Sequence, residues 1–507
     1  GDKRHCANLS AAHPPPLLAA IWQHADRQPN RVALQSLQKT VTYAELASAI
    51  AQAQAILSLQ TKQATIAVAL ENQPAWVVLD LAAITNGNPL VPIPAFFSAA
   101  QMRHAVSDAG ATTLITDNPS NLQSIFAEII DATSTIEVAS ISLTLFILKS
   151  EGKALPQQTA KITYTSGTTG NPKGACLSLA AMTNVAQAIQ LATKLRAEDQ
   201  HLCVLPLATL LENVAGVYAA LLAGATIHLW PSDQVGLMGS KLNIMQLHLA
   251  LIYTQASTAI FIPEMLQALV QIVESGAAKL PSLRFLAVGG ASVSPQLLDR
   301  AAKIGLPVFE GYGLTESASV VSLNTPEANK MGSAGKPLSH IEIKITGQHE
   351  VLVKGANFLG YTNQQQQIEQ NAFIDTGDIG YLDDEGYLFI NGRKKNVFIT
   401  SFGRNVSPEW VERELKVSPY IAQAAVFGEA RPWNVAVIVL RQPMDNIAIS
   451  KVIQAVNAYL PDYASVAQWI IADTPFTAAN QQLTTNGKNR RDMIWQHYQD
   501  KINALYS

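Results

Sequence analysis

Charged side chains are scarce in this sequence. Asp, Glu, Lys and Arg make up 14% of the 507 residues, whereas soluble domains average about 25%. The formal net charge is −3, so the chain has no excess of positive charge for binding nucleic acid or an anionic membrane surface. We therefore expect no nucleic-acid partner, and a large buried interior behind a surface rich in Gln, Asn, Ser and Thr.

Cysteines and long apolar runs are also lacking. The three cysteines, Cys6, Cys176 and Cys203, are odd in number and have no metal-ligand spacing, which predicts reduced thiols and a cytoplasmic protein. No apolar run reaches the roughly 18 residues of a membrane-spanning helix without polar interruption, so no integral membrane segment is expected. The first residues are polar and contain no secretory apolar core.

The most informative segment is residues 164–174, Tyr-Thr-Ser-Gly-Thr-Thr-Gly-Asn-Pro-Lys-Gly. Its glycines let the backbone approach a ligand closely, and its hydroxyls and lysine offer donors and positive charge to phosphate oxygens. Residues 160–164 before it are typical of a short strand, so the loop is expected to leave a sheet edge. It is not a Walker A loop, because Pro172 precedes the lysine and Gly174 follows it. The alternative for an isolated segment is a Gly/Thr-rich surface turn.

Helix and strand patterns alternate along most of the chain, which predicts α/β layering. Residues 43–53 are expected to form a helix capped by Thr42, and residues 75–83 another. Strands are expected at 64–70, 114–116, 226–230 and 285–288. The length suggests roughly three structural units, and a compact unit of about 110 residues, a normal size for a small domain, is expected to follow a hairpin that ends at residues 393–395.

Four further motifs follow in a fixed order, and each contributes groups suited to nucleotide chemistry. They are Glu310-Gly-Tyr-Gly-Leu-Thr-Glu-Ser317, Asp375-Thr-Gly-Asp378, Gly392-Arg-Lys-Lys395 with the segment 399–408 after it, and Leu483-Thr-Thr-Asn-Gly-Lys-Asn-Arg-Arg491. Together with the loop at 164–174, they resemble the adenylate-forming superfamily of acyl-CoA synthetases, luciferases and peptide-synthetase adenylation domains. The resemblance covers nearly the whole chain.

The resemblance implies an α/β fold with two domains. Residues 1–392 would form a large layered αβ domain that binds AMP and the acyl group. Residues 393–507 would form a smaller, mobile α+β domain that carries a thiolation loop and a catalytic lysine. The implied cofactors are ATP, Mg²⁺ and CoA, or a phosphopantetheine carrier in place of CoA.

The resemblance also implies a role for each matching residue. The β- and γ-phosphates would be held by Thr165, Ser166, Gly167, Thr168, Thr169, Gly170 and Lys173. Tyr312 would stack on adenine opposite the backbone of Gly290 and Ala291, and Asp378 and Arg393 would bind the ribose. Thr315 would contact the α-phosphate and Glu316 would hold Mg²⁺, a cation that prefers carboxylate and phosphate oxygens. Lys488 would bridge carboxylate and α-phosphate, Lys395 would be the hinge, and Gly403 would line the thiol channel.

The expected reaction is the ATP-dependent activation of a carboxylic acid as acyl-AMP, followed by transfer to CoA. The segments 205–218 and 310–324 look most like long-chain fatty acyl-CoA synthetases, and small aliphatic side chains between Leu207 and Leu222 suit an alkyl chain. Thr209 stands where that family usually has His, which leaves chain length open. Two alternatives remain: a ligase that loads a carrier protein supplied in trans, and a degenerate member that binds without turnover.

Overall fold

The structure is a computed structural model that describes residues 14–165, 171–239, 241–291, 293–364, 366–484 and 487–507. Helices and strands alternate through the first half, as expected. The elements up to residue 203 are α1 Pro16–Arg27, β1 Val32–Gln35, β2 Thr40–Thr42, α2 Tyr43–Thr61, β3 Ile66–Ala69, α3 Pro74–Asn86, β4 Leu90–Pro92, α4 Ala99–Asp108, β5 Thr113–Thr116, α5 Pro119–Ile125, β6 Ile130–Val138, β7 Ile141–Leu148, β8 Thr159–Thr165, β9 Lys173–Ser178, α6 Leu179–Thr193 and β10 Gln200–Cys203.

A π-helix at Glu212–Tyr218 and several 3₁₀ turns interrupt the second half. Its elements are α7 Ala219–Ala223, β11 Thr226–Leu229, β12 Leu237–Met238, β13 Lys241–Leu242, α8 Ile244–Thr254, β14 Thr258–Phe261, α9 Pro263–Glu274, β15 Phe285–Val288, α10 Pro295–Lys303, β16 Val308–Leu314, β17 Ser319–Leu323, β18 Lys336–Pro337, β19 Glu342–Ile345, β20 Glu350–Lys354, β21 Gly360–Tyr361, β22 Ile374–Leu382, β23 Leu388–Arg393, β24 Phe398–Ile399, β25 Asn405–Val406, α11 Pro408–Val417, β26 Ile421–Phe427, β27 Asn434–Leu440, α12 Asn446–Asn457, β28 Val466–Ile471 and α13 Arg491–Ala504.

Two large sheets organise the N-terminal part. One has the strand order β18-β17-β16-β15-β14-β10-β11-β1-β2, and the other β21-β9-β8-β4-β3-β5-β7-β6. The inner strands pair in parallel, for example β10 with β11 and β14, and β3 with β4 and β5. These strands are short and almost entirely buried, as expected when helices cover both faces of a parallel sheet.

Local sequence signals account for several boundaries. Helix α2 starts where Thr42 accepts a hydrogen bond from the Glu45 amide and the Glu45 carboxylate accepts one from the Thr42 amide. This reciprocal capping satisfies two otherwise unpaired donors of the first turn. The strand expected at 285–288 is observed with those bounds as β15.

A four-stranded sheet of order β19-β20-β22-β23 precedes the C-terminal part. The C-terminal part has its own three-stranded sheet, β26-β27-β28, and two hydrophobic clusters of its own. A large α/β domain and a smaller C-terminal domain are therefore present, which confirms the expected fold class. Within the described ranges, no helix combines the length and apolar character needed to cross a bilayer.

Candidate active site

Strands β8 and β9 flank the glycine-rich loop. They pair antiparallel, and Thr165 lies opposite Lys173 in the register. Ser166, Gly167, Thr168, Thr169 and Gly170 lie outside the described residues. The Asp108 carboxylate fixes the β8 side, because its Oδ2 accepts hydrogen bonds from Tyr164 (2.7 Å) and Thr362 (2.6 Å). The two ends of the loop are thus held next to each other.

Tyr361 on β21 connects this loop to Glu316. Its hydroxyl donates to Glu316 Oε1 at 2.8 Å, and Lys173 Nζ lies 5.4 Å from the centroid of its ring. Gly174 on β9 lets the backbone pack closely against Tyr164 and Thr362, because a side-chain carbon there would lie 2.7 Å from the Tyr164 ring and 2.9 Å from Thr362. Burial and the Glu316 carboxylate both raise the pKa of Tyr361, so it is a neutral donor at physiological pH.

Asp378 joins Tyr312 to Arg393. The Tyr312 hydroxyl donates to Asp378 Oδ2, and Arg393 donates to Asp378 Oδ1 at 2.9 Å. Burial, followed by the Asp378 charge, raises the pKa of Tyr312 well above its usual value. Asp378 lies within strand β22. The turn-like feature is Gly377, whose φ is +72° and where a side-chain carbon would meet the Arg393 guanidinium at 2.9 Å.

Thr315 and Glu316 follow β16 in a 3₁₀ turn, and both are partly exposed. Gly290 and Ala291 follow the parallel strand β15, and Gly290 has φ +89°. A side-chain carbon on Gly289 would lie 3.5 Å from Leu211, and one on Gly290 would lie 3.6 Å from Ile262. Apolar side chains therefore adjoin this glycine backbone.

The two largest hydrophobic clusters meet beside these glycines. Leu211, Ala215 and Ala287 each pack against both clusters and keep part of their surface accessible. Ala287 is notable because its neighbours in β15 are buried. Thr209, which precedes Leu211, is also partly exposed. Leu211, Ala215 and Ala287 are called the apolar rim from here on, and an uncharged surface of this kind is suited to an apolar ligand.

The π-helix that carries this rim is anchored by buried charges. Glu212 accepts hydrogen bonds from His201 and from the amides of Val204 and Leu205.

Lys161 on β8 forms an ion pair of 2.9 Å with Asp80. The pair is completed by Asn213 and Tyr218, each of which hydrogen-bonds to both charged groups. The segment 207–222 therefore combines the expected aliphatic side chains with a polar anchor.

Lys488 reaches this site from the C-terminal domain. Its side chain is solvent-accessible where the two domains meet, a region called the cleft from here on, and it forms no ion pair with a described carboxylate. Burial and the nearby Arg393 charge lower the pKa of Lys488, whereas Asp378, Glu409 and Glu316 oppose them. The Lys488 ammonium group thus lies within electrostatic range of Asp378 and Glu316, which are each more than a hundred positions away in the sequence.

Lys395 and Gly403 occupy different surroundings. Lys395 lies in the 3₁₀ turn Lys394–Asn396 after β23, and burial, Arg393 and Lys488 lower its pKa. Gly403 is exposed with φ +75°, and a side chain there would meet no atom within 4 Å. In this arrangement of the domains Gly403 lies on an open turn, whereas Lys395 is close to Arg393 and Lys488.

Two features of the site were not predicted from the sequence. Tyr361 was missed, although the Gly360-Tyr361 pair two residues after Phe358 carries a polar aromatic next to a glycine. Glu310 was noted only as the start of a motif, yet it is buried with Oε2 lacking a hydrogen-bond partner among the described residues. No local pattern in the sequence indicates that this carboxylate is buried.

Comparisons with known proteins agree with this geometry. A family model described as AMP-binding enzyme matches residues 21–360, and one described as AMP-binding enzyme C-terminal domain matches residues 395–507. A 2-succinylbenzoate–CoA ligase of Bacillus subtilis (strain 168) is 29% identical over 93% of this chain and 97% of its own. A long-chain-fatty-acid–CoA ligase of Mycobacterium bovis is 25% identical over 96% of both chains.

A solved structure supports the same assignment. The o-succinylbenzoate CoA synthetase of Bacillus subtilis, in complex with its acyl-adenylate intermediate, superposes with a TM-score of 0.77. It is 26% identical, and the match covers 95% of this chain and 98% of that one. The superfamily recognised from the motifs is thus confirmed, although the ligase for an aromatic acid shares more identity than the fatty-acid ligase. The chain belongs to the AMP-binding enzyme family.

Proposed function

We propose that this protein is an acid–CoA ligase that works in two steps. In the first step a carboxylate oxygen attacks the α-phosphorus of ATP, the bond to the β-phosphate breaks, and pyrophosphate leaves. In the second step the thiol sulfur of CoA attacks the acyl carbon, the bond to AMP breaks, and the thiol proton is lost. The relative that is 29% identical is itself named as a CoA ligase.

One observation carries the proposal: a single cleft gathers Tyr312, Asp378, Glu316 and Lys488. The first three come from the large domain and the lysine comes from the small one. Lys488 has no carboxylate bound to it among the described residues, so its charge is available to a ligand. When a carboxylate meets a phosphate, a fixed positive charge between them offsets their repulsion.

We assign the nucleotide contacts by the same reasoning. Tyr312, opposite the backbone of Gly290 and Ala291, receives the adenine, and Asp378 with Arg393 receives the ribose. The Asp378 carboxylate is already oriented by two hydrogen bonds, so it is preorganised to accept from sugar hydroxyls.

The phosphates lie by Thr315 and by the glycine-rich loop with Thr165 and Lys173. Glu316 is partly exposed and held by Tyr361, which suits a ligand of Mg²⁺. Bound there, Mg²⁺ would neutralise phosphate charge.

For the second step we propose that the domain 393–507 rotates about Lys395 and brings Gly403 to the thiol of CoA. A glycine at this position leaves space for a thin chain. Gly403 lies on an exposed turn of the small domain, so such a rotation can carry it across the surface without unfolding a packed element.

We propose that the acid has an uncharged, apolar body, either a fatty or an aryl chain. Leu211, Ala215 and Ala287 offer apolar surface and no charge beside the glycine backbone. None of these three residues offers a positive charge that could pair with a second carboxylate on the substrate. On this basis 2-succinylbenzoate, which carries two carboxylates, is a poorer substrate than a monocarboxylate of similar size.

The test is a panel of acids measured in two assays. ATP–pyrophosphate exchange reports adenylation, and thioester formation with CoA or with holo carrier protein reports the acceptor. The panel should include medium- and long-chain fatty acids, benzoate and phenylacetate derivatives, and 2-succinylbenzoate. If no acid in the panel supports pyrophosphate exchange, the proposed function is contradicted and a non-catalytic binding protein is favoured. Exchange with thioester formation only on carrier protein would replace CoA as the acceptor.

A further inference from the structure

Helix α11 of the small domain contacts the large domain. On α11, Glu409, Arg413 and Lys416 are spaced by four and three residues, so they lie on one face of the helix. Val411 and Leu415 lie on another face and are buried in the small domain's own cluster. The helix thus has an inward apolar face and a separate face that carries Glu409, Arg413 and Lys416.

Both ends of this polar face are in contact. At the C-terminal end, Gln267 on α9 of the large domain donates a hydrogen bond of 2.8 Å to the Lys416 carbonyl. This carbonyl is one of the four at the helix end that have no partner within the helix. At the N-terminal end, a side-chain carbon on Gly392 of β23 would lie 3.0 Å from the Glu409 carboxylate and 3.0 Å from Ser407. The connecting strand therefore passes directly against the start of α11.

Arg413 lies between these two ends, within electrostatic range of Glu310 on β16. Glu310 is 6% exposed, and its Oε1 accepts a hydrogen bond from the Val293 amide. Its Oε2 and the Arg413 Nε both lack hydrogen-bond partners among the described residues. Burial raises the pKa of Glu310 to about 8, and the Arg413 charge acts against this rise. Glu310 lies two residues before Tyr312 on β16, so Arg413 interacts with the strand that carries the adenine contact.

We propose that Arg413, with Gln267 as a second contact, is a positioning residue that holds the small domain where Lys488 enters the cleft. The inference rests on the proposed two-step function, because it assigns Arg413 to the adenylation step alone. When the small domain rotates for thioester formation, α11 leaves Glu310 and Gln267. A loss of these contacts therefore weakens the first arrangement and leaves the second unaffected.

The test separates the two half-reactions. In Arg413→Met, which keeps length and removes charge, pyrophosphate exchange measured above pH 8, where Glu310 is ionised, is expected to fall about 10-fold or more, as for other desolvated charge contacts. Gln267→Leu removes one hydrogen bond and should lower exchange about 5-fold. Conversion of a supplied acyl adenylate and CoA to thioester should stay within about twofold of wild type. Arg441→Met, an exposed arginine of the same domain, is the matched control and should change neither rate.

A second measurement does not depend on catalysis. Small-angle scattering of the unliganded protein should show a shifted distance distribution for Arg413→Met and none for Arg441→Met. Equal losses in both half-reactions, or exchange at the wild-type rate with unchanged scattering, would overturn the inference. If the wild type catalyses no exchange with any acid, the proposed function fails, and the scattering result alone then decides whether Arg413 sets the domain arrangement.

Discussion

Buried charges in the interior of the large domain differ from those at the cleft between the domains. In the interior, Lys161 pairs with Asp80 and each is further hydrogen-bonded by Asn213 and Tyr218. At the cleft, Glu310 Oε2, Glu409 Oε2 and Arg413 Nε have no hydrogen-bond partner among the described residues. A buried polar atom without a partner costs roughly 1–3 kcal/mol, and a ligand or the other domain could supply the missing contact at the cleft.

The interior charges therefore act mainly on the stability of the fold, whereas we expect the cleft charges to act on the reaction. The interior pair joins β8, next to the glycine-rich loop, to α3, and Asn213 and Tyr218 connect both to the π-helix beside the apolar rim. The pair is closed to solvent. The cleft charges join elements that the proposed reaction brings together and separates. Substitutions in the two sets should therefore have separable effects, on stability for the first and on individual reaction steps for the second.

The largest effect is expected for Lys161→Met. Removing one partner leaves Asp80 as an uncompensated buried charge, which destabilises proteins by about 3–5 kcal/mol. Urea denaturation followed by tryptophan fluorescence measures the change. Lys303→Met is the control, because Lys303 and Asp299 form a 2.9 Å pair in which the side chains are 74% and 56% exposed; surface pairs contribute about 0–1 kcal/mol. Equal stability of the two variants would contradict a stabilising role for the interior pair.

Lys488→Ala should have nearly as large an effect, on catalysis and not on stability. Loss of one preorganised charge or donor in such a site costs about 10²–10³-fold in rate, so pyrophosphate exchange should fall by at least that factor. The folded protein should keep its unfolding midpoint, because Lys488 makes no ion pair in the described structure. Thioester formation from a supplied acyl adenylate should persist. Exchange at the wild-type rate would remove Lys488 from the proposed mechanism.

Elements set by local signals were predictable from the sequence. The Thr42 cap and the helix after it were predicted, as was strand β15, because capping residues and buried β-rich runs act within a few positions. The family and the two-domain fold followed from motif order. The hairpin of β6 and β7, residues 130–148, was not predicted, and neither was the π-helix at 212–218. Periodicity carries no signal for a π-helix, whose extra residue per turn is stabilised by tertiary contacts.

The candidate site was predicted unevenly for a related reason. Tyr312, Asp378 and Arg393 were named from motifs, and the structure brings them together. Glu310 and Arg413 are 103 positions apart in the chain, and their electrostatic interaction depends on how two domains dock. Local sequence patterns do not predict such an interaction, because each residue alone resembles an ordinary surface charge.

Gly403→Leu tests the role of the small domain in the second step. We expect thioester formation to fall about 10²-fold, because a misplacement of about 1 Å of the reacting thiol already costs that much. Pyrophosphate exchange should persist, since Gly403 is exposed and a side-chain carbon there would meet no atom within 4 Å in this arrangement. Gly403→Ala is the matched control: it shares the strain of φ +75° but has little bulk. Loss of both activities in both variants would assign Gly403 to the fold.

The smallest effect is expected for Glu310→Gln, measured as stability against pH. Burial raises the pKa of Glu310 to about 8, with Arg413 opposing, whereas an unfolded Glu titrates near 4.3. Between these values the folded state binds more protons than the unfolded state, so stability falls as pH rises. From pH 6 to pH 8 the wild type should lose about 2–3 kcal/mol relative to Glu310→Gln, at 1.36 kcal/mol per pH unit.

Glu274→Gln provides the control for this pH dependence. The Arg300 side chain donates hydrogen bonds to Glu274 and lowers its pKa, so this carboxylate stays ionised from pH 6 to pH 8 in both the folded and the unfolded state. Its substitution should therefore shift stability by the same amount at both pH values. A parallel shift for Glu310→Gln would mean that Arg413 fully neutralises the buried carboxylate, and that the cleft pair is as well satisfied as Lys161 and Asp80.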